Sequence, residues 1–530
     1  MNRATILKSD TPVHWLARGA VLAVVAPPLI LFLFEAAAGF RAAAQAESQV
    51  VFSWAILWRS VFIAGCTAAA SAAIGVFAGT VAGRLGKVGA AIALFSFVMP
   101  LAAPPAVHAY IWRNAALSAG LLGDLFVEGG SRAINFTGAV ASMVSAFWTI
   151  PALAAFAACA GPGRRYELEA RPFAAPGVAA RKVLLPTIVP AAAASAGLVF
   201  ILAFGDYSVP ALWQINTYPV HILSLYSSFF EPRLAAAAAL VPAAVTGAAA
   251  AVVFAIAGRA LSRADVEKAN VERNILWAPG TGAKAGLAAV VGILCWLPVG
   301  VSAYWAWRSW PGAAGLGVVG KDFAFTLSVA CAAAALASAL AVLAAAGHWT
   351  KGRGWRNALL AAALAAFLLP AVGIGLAVKG ISQWRFVPPA FGDSAAAYVY
   401  ALAARFIAVP LVLSAMAMSR IDRAYAHLVE VSGARGSRAL FTVGVPLALP
   451  AAIAGGVMAI VLGVAELPIA MLVAPPGRPP ISVDLFNLMH YARQGEAFAA
   501  ALAMMLGASA VVVAALATAG KLWKRYLSAQ

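Results

Sequence analysis

The feature that most constrains this chain is a succession of apolar runs, about twelve of them. Each is long enough to cross a bilayer, which takes roughly 20 mostly apolar residues. They fall near 14–40, 56–83, 88–112, 137–160, 190–213, 235–257, 285–309, 324–347, 356–380, 396–418, 450–474 and 497–520. Folding so many runs in water would require polar segments to cover them. The 530 residues are 63% hydrophobic and only 11% charged, whereas soluble domains carry about 25% charge. Inside lipid every backbone N–H and C=O must be satisfied within its own segment, so runs of this length form helices. The expected fold class is an all-α integral membrane protein. Pro and Gly recur inside many of the runs, as membrane helices tolerate.

Charge sets the expected orientation. The loops near 84–87, 161–189, 258–284, 348–356 and 419–449, with both tails, hold about 24 of the 37 Lys and Arg. Such an excess marks the cytoplasmic side, which places both termini there. The net charge of +18 then reflects topology and contact with lipid, and no nucleic-acid partner is expected. The basic start MNRATILKSDTPVHWLARG leads into a run longer than a signal-peptide core and reads as an uncleaved first span. Cys66, Cys159, Cys295 and Cys331 all lie in apolar runs and read as small buried hydrophobes. The six His form no close pair, and nothing has zinc spacing, so no metal site or cofactor is expected.

The chain echoes itself. ELEARPFAAPGVAARKVLLP, from Glu167 to Pro186, answers HLVEVSGARGSRALFTVGVP, from His427 to Pro446, and the closing prolines lie 260 positions apart. Asp206 in AFGDYSVP and Glu466 in GVAELPIA are again 260 apart, and Cys66 and Cys331 are 265 apart. Pro100 and Pro370, and Pro151 and Pro410, pair more loosely. Six spans per copy would keep the copies parallel, related by an axis along the membrane normal. The expected division is a first membrane domain at 1–257, a polar linker at 258–284 and a second membrane domain at 285–530.

Both echoing loops resemble the EAA loop of binding-protein-dependent ABC importer permeases. That motif has an E-A-A start, a Gly six positions after the Glu and a Pro thirteen after that. The first loop keeps Glu167 and Pro186 in register with Phe173 at the Gly position; alternatively the pattern slips onto Glu169-Ala170. The second keeps Gly433 and Pro446, with His427 at the Glu position. The resemblance implies the type-1 permease fold, with two fused transmembrane domains of about twelve helices in tandem parallel repeats. It further implies that each loop docks on a cytoplasmic ABC ATPase, two copies in all. In that setting Arg435 and Arg438, or Arg181 and Lys182, would meet acidic groups of the ATPase, and Gly433 would permit a tight turn. Pro186 and Pro446 would mark the starts of the following spans.

The stretch AELPIAMLVAPPGRPPISVDLFNLMHYARQGEAFAA resembles the terminal region of ferric-iron-type permeases, notably in its PPG and NLMHY pieces. This implies that a periplasmic solute-binding protein meets Arg478, His490, Tyr491 and Arg493 on the outer face of a bacterial inner membrane. Ferric iron is the solute it suggests, with thiamine, polyamines and phosphonate as alternatives. Asp206, Glu466 and Arg405 are the candidates for the translocation path, because charges inside a membrane are costly and functional by default. The plainer reading of the two acids is a water-exposed position at the span ends. Arg405 has no counterpart in the first half, where Ala146 falls; it either snorkels outward or pairs with Glu466. GLGVVGKD, from Gly315 to Asp322, nearly matches a phosphate loop, but Asp322 replaces its hydroxyl residue and no strand precedes it. No catalytic residues are expected in this chain. An ion-gradient-driven transporter would also have two repeats and leaves the paired loops unexplained.

Overall fold

A computed structural model describes residues 12–45, 52–118, 132–160, 169–170, 172–173, 175–263, 279–346, 353–419, 437–491, 493–515 and 517. Among these residues every regular element is helical. Nine helices are long and apolar enough to cross a membrane, or up to twelve if each sharply bent pair is one span. The chain is therefore a multi-pass membrane protein. The first half runs α1 (Pro12–Gln45), α2 (Trp54–Gly83), α3 (Lys87–Ala102), α4 (Pro105–Ser118), α5 (Arg132–Phe147), α6 (Thr149–Ala160) and α7 (Leu185–Phe204). Short helices α8 (Ser208–Leu212) and α9 (Tyr218–Ser227) follow, then α10 (Pro232–Arg263). The second half begins with α11 (Thr281–Val291), α12 (Leu297–Arg308), α13 (Gly312–Ala346), α14 (Arg353–Leu368) and α15 (Ala371–Ile381). It continues with α16 (Ala395–Phe406), α17 (Ala408–Ser419), α18 (Val445–Val464), short α19 (Pro468–Val473) and α20 (Ile481–His490), and α21 (Gln494–Leu502), whose helical course reaches Ala515.

Several details depart from the sequence expectation. The fifth and eleventh runs do not stay helical to 213 and 474. They stop at Phe204 and Val464, and the chain turns at each acid into α8 and α19. Pro186 and Pro446 are the second residues of α7 and α18, but they are not where helix first forms. Helix begins earlier, at Pro176 and Ser437, and passes through a wide π-helical turn at Ala180–Leu184 and Leu440–Gly444. A proline cannot donate to the carbonyl four residues back and crowds it. Here those carbonyls belong to Lys182 and Thr442, inside the widened turns, which relieve the crowding. Of the linker expected at 258–284, residues up to Arg263 extend α10 and those from Thr281 open α11, while 264–278 lie outside the described residues. The phosphate-loop lookalike falls in the first turns of α13.

Three spans are bent: α3 against α4 by 93°, α14 against α15 by 104°, and α16 against α17 by 41°. Pro104 and Pro105, Pro370, and Pro410 in the first turn of α17 supply the breaks by withholding N–H donors. A break inside lipid strands carbonyls, and these need partners. Nε2 of the fully buried His108 is 3.0 Å from the Pro100 carbonyl, and its Nδ1 is 3.0 Å from Ser145 Oγ. A carbonyl only accepts, so Nε2 carries the proton and Nδ1 of the neutral ring accepts from the Ser145 hydroxyl. Trp112 Nε1 in turn donates to Ser145 Oγ at 2.9 Å. At the other sharp bend the Thr246 hydroxyl of α10 is shared between the Pro242 carbonyl of its own helix at 2.8 Å and the Leu368 carbonyl at 3.0 Å. Thr246→Val should expose the Leu368 carbonyl to an apolar neighbour and cost about 1–3 kcal/mol, the price of an unsatisfied buried group, whereas Thr246→Ser should cost little. Thermal unfolding of the detergent-solubilised chain distinguishes them; equal losses would refute the capping role.

Small residues let the helices close on one another. In α2 the buried stripe Ala64, Thr67, Ala68, Ser71, Gly75, Ala78, Gly79 and Ala82 faces α6. A Cβ on Gly75 would overlap the Trp148 carbonyl, and one on Gly79 the Ala152 carbonyl. This is the small-xxx-small packing of membrane helices. In the second half α13, α17 and α18 meet similarly, with Gly455 against the backbone of Pro410 and Ser338 Oγ donating to the Ala452 carbonyl at 3.2 Å.

The end helices cross over. α1 packs on α10 of its own half and also on α13, α14, α15 and α16. Its Val21, Val25, Phe32 and Ala36 share one core with Val372, Ala377, Tyr398 and Leu402. Reciprocally, α11 and α12 lean on α2, α3 and α4, and Trp296 Nε1 donates to Ser96 Oγ at 3.2 Å. Each half thus borrows the other's first helix to cover its apolar face.

Candidate functional site

Two carboxylates, the half-buried Asp206 and the buried Glu466, stand at the ends of α7 and α18. α18 holds 20 residues, about 30 Å of helix, the thickness of a hydrocarbon core. At the far end of α7, Asp206 turns its carboxylate onto the start of α8. Its Oδ1 accepts from the Val209 N–H at 2.8 Å, and Ser208 Oγ donates to both oxygens at 3.1 and 3.2 Å. Glu466 does the same for α19, accepting from the Ile469 N–H at 3.4 Å through Oε1. Both acids are N-caps, each satisfying a donor three residues on. The signal was legible in sequence: D-x-S-x-P and E-x-P are helix-start patterns.

Capping does not exhaust these acids. Glu466 also has a cationic neighbour. Arg405 Nε of α16 lies 3.6 Å from Glu466 Oε2, with side chains only 12% and 8% exposed. So Arg405 pairs with Glu466 rather than snorkelling, and protein surrounds the Glu466 side chain. The pair is incompletely hydrogen-bonded: Arg405 Nε and Nη1 have no hydrogen-bond partner among the described residues. The guanidinium rests 5.7 Å from the Phe406 ring centre. Tyr398, two turns earlier on α16, is fully buried, and its hydroxyl has no hydrogen-bond partner among the described residues. Sequence reasoning missed Tyr398, because one tyrosine in an apolar run carries no sign of its neighbours. Beside the acids the rings of Tyr207 and Phe486 meet across the halves, centres 6.1 Å apart.

The echoing loops are only partly described. Glu167, His427, Gly433 and Arg435 lie outside the described residues. Glu169 is exposed and Ala170 half-buried; Phe173, where the motif places Gly, is 89% exposed. Arg181, Lys182, Pro186 and Arg438 are exposed, and Pro446 is half-buried. Val189 and Leu449, 260 apart, both leave their side chains uncovered.

At the opposite end of α18, Pro475-Pro476-Gly477 makes a tight turn closed by the Arg478 N–H on the Pro475 carbonyl at 3.3 Å. Gly477 has φ +73°, a left-handed conformation that favours glycine. Arg478 is exposed there. α20 buries Ile481, Ser482, Leu485 and Leu488 against α3–α4 and α13, so it is an integral part of the packing rather than a surface strap. Ile481 N–H donates to Thr326 Oγ1 at 2.7 Å. His490 is the last residue of α20, Tyr491 is exposed, and Arg493 is exposed and paired with Glu496. Burial raises the Asp484 carboxyl above its ordinary range, opposed by the nearby Arg493 and reinforced by Glu496. Among the described residues no group of three or more His, Cys, Asp or Glu is placed to hold a metal ion. No family model matches the chain, and no curated protein matches it.

Proposed function

We propose that this chain is the membrane permease of an ATP-driven importer, with both transmembrane domains fused in one polypeptide. The observation that carries the reading is a compound unit that recurs at a separation of 260: wide turn, 20-residue helix, capping acid, short helix. An EAA-like loop precedes each copy in sequence. In this reading the halves are 1–257 and 285–530, in parallel orientation, and both loops face the cytoplasm of a bacterial cell. Two ABC ATPase subunits grip the loops, and a periplasmic binding protein delivers solute near Arg478, His490, Tyr491 and Arg493. ATP-driven closure of the ATPases tilts the two halves and opens a path between them. The covalent chemistry belongs to the ATPases. Ferric iron is the leading solute by resemblance of the C-terminal stretch, with thiamine, polyamines and phosphonate as alternatives.

A second reading, a proton- or sodium-driven transporter, is favoured by one observation, the buried pair of Arg405 and Glu466. It gives the echoing loops no role. Co-purification separates the two: the chain should retain its ATPase, and Gly433→Trp should release the ATPase and lower ATP-dependent uptake at least about tenfold while the protein stays inserted. Uptake that follows an ion gradient without any ATPase would replace this reading with the second.

A further inference from the structure

We infer that the wide turns at Ala180–Leu184 and Leu440–Gly444 are joints that set the rotational phase of each echoing loop on its span, with Pro186 and Pro446 as positioning residues. What the phase serves rests on the permease reading above, in which each loop grips an ATPase; the joint itself does not.

Helix runs without interruption from Pro176 to Phe204 and from Ser437 to Val464, and each run contains one wide turn. Such a turn closes its hydrogen bonds five residues apart instead of four, so it takes up one residue more than an α-turn. Each residue of an α-helix turns the chain by about 100°, so the extra one rotates the loop side of the helix by about 100° relative to an unbroken α-helix. The packing uses this offset. Ala179, Leu184 and Ile188 are all buried, and Leu184 and Ile188 share a core with Ala155 and Cys159 of α6. Residues four apart share a helix face, as Leu184 and Ile188 do. Ala179 and Leu184, five apart, would diverge by about 140° in an α-helix and by only about 40° once the extra residue is absorbed. In the second copy Gly444 ends the turn, and a Cβ there would lie 2.8 Å from the Ala346 carbonyl at the end of α13. The exposed cations Arg181, Lys182 and Arg438 stand within or just before the turns, so the joint decides where they point.

The residue two places after each turn explains its position. Pro186, Pro298 and Pro446 hold that place after the wide turns at Ala180–Leu184, Gly292–Trp296 and Leu440–Gly444. After the fourth wide turn among the described residues, Ala503–Gly507, the place belongs to Ser509, whose hydroxyl donates to the Met505 carbonyl. Each of these residues crowds or occupies the carbonyl four back, the acceptor of an ordinary α-turn. Pro190 and Pro450 follow within plain α-helix, so proline needs a second condition, which the buried Leu184 and Gly444 supply.

The test uses the full chain in lipid nanodiscs with genetically encoded spin labels at Arg438 and at Ser419, the exposed end of α17. Pro446→Ala restores the missing N–H and lets α geometry run through the joint. On a helix about 11 Å across, a rotation of about 100° carries a label through roughly 8 Å, and the label distance should shift accordingly. Deleting Phe441, an exposed residue of the turn, in the same chain removes the surplus residue and should return the distance to that of the unaltered protein. On unlabelled protein, binding of the purified candidate ATPase should weaken at least about tenfold in Pro446→Ala and recover in the double variant. Loss of packing alone would not be repaired by a further deletion. An unmoved label in Pro446→Ala, a double variant that fails to restore the distance, or a moved label with unchanged ATPase affinity would each overturn the inference. A chain whose label moves and returns as stated but which binds no ATPase in any form keeps the joint and loses the importer reading. One that holds its ATPase with an unmoved label does the reverse.

Discussion

Arg405→Leu should destabilise the folded chain by about 3–5 kcal/mol, the usual consequence of removing one partner from a buried ion pair. Glu466 would remain 8% exposed, with its capping bond to the Ile469 N–H but without a counter-charge. The double variant Arg405→Met with Glu466→Gln should recover most of the loss, because it removes both charges and keeps an oxygen to cap α19. Cys159 and Cys295 are buried thiols, so a thiol-reactive dye reports their exposure on unfolding of the solubilised protein above the signal of the half-buried Cys66 and Cys331. A double variant no more stable than Arg405→Leu would mean that the arginine acts through packing on Phe406 rather than through its charge.

Gly79→Leu should be comparably damaging for a different reason. Its Cβ would overlap the Ala152 carbonyl, a backbone atom that cannot rotate aside, and α2 would have to leave α6. Overpacking of ordinary cores costs about 1–3 kcal/mol, and a backbone clash lies at or beyond the upper end. Gly65→Leu, on the same helix with nothing within 4 Å of its added Cβ, is the matched control. The measurement is the yield of monodisperse protein together with the dye-detected midpoint. Equal behaviour of the two variants would show that the α2–α6 approach is not tight in the membrane.

These two sites also illustrate how legibility differs along the chain. Gly75 and Gly79 are visible in the sequence as a small-residue stripe, yet nothing local says that Trp148 and Ala152 lie opposite. The acids were visible as charges next to apolar runs. Their capping role was readable from Ser208, Pro210 and Pro468, whereas the pairing of Arg405 with Glu466 was only one of two open readings. Pro104, Pro370 and Pro410 lie inside runs that the sequence reading takes as single continuous spans. The angles, and the donors His108 and Thr246 that satisfy the stranded carbonyls at the two sharp bends, come from contacts made after folding.

The sequence by itself determined the all-helical, membrane-spanning class and the order of the spans. Hydrophobic length and backbone satisfaction in lipid are local requirements, met segment by segment. It also displayed the recurrence at 260, because spacing along the chain does not depend on how the loops fold. Only the tertiary structure decided that α1 packs on helices of the second half and α11–α12 on helices of the first, and that Arg405 pairs with Glu466. In a chain this uniformly apolar, hydrophobicity commits every segment to the membrane and says little about neighbours. Those are chosen by small-residue fit and buried polar pairing between residues far apart in sequence.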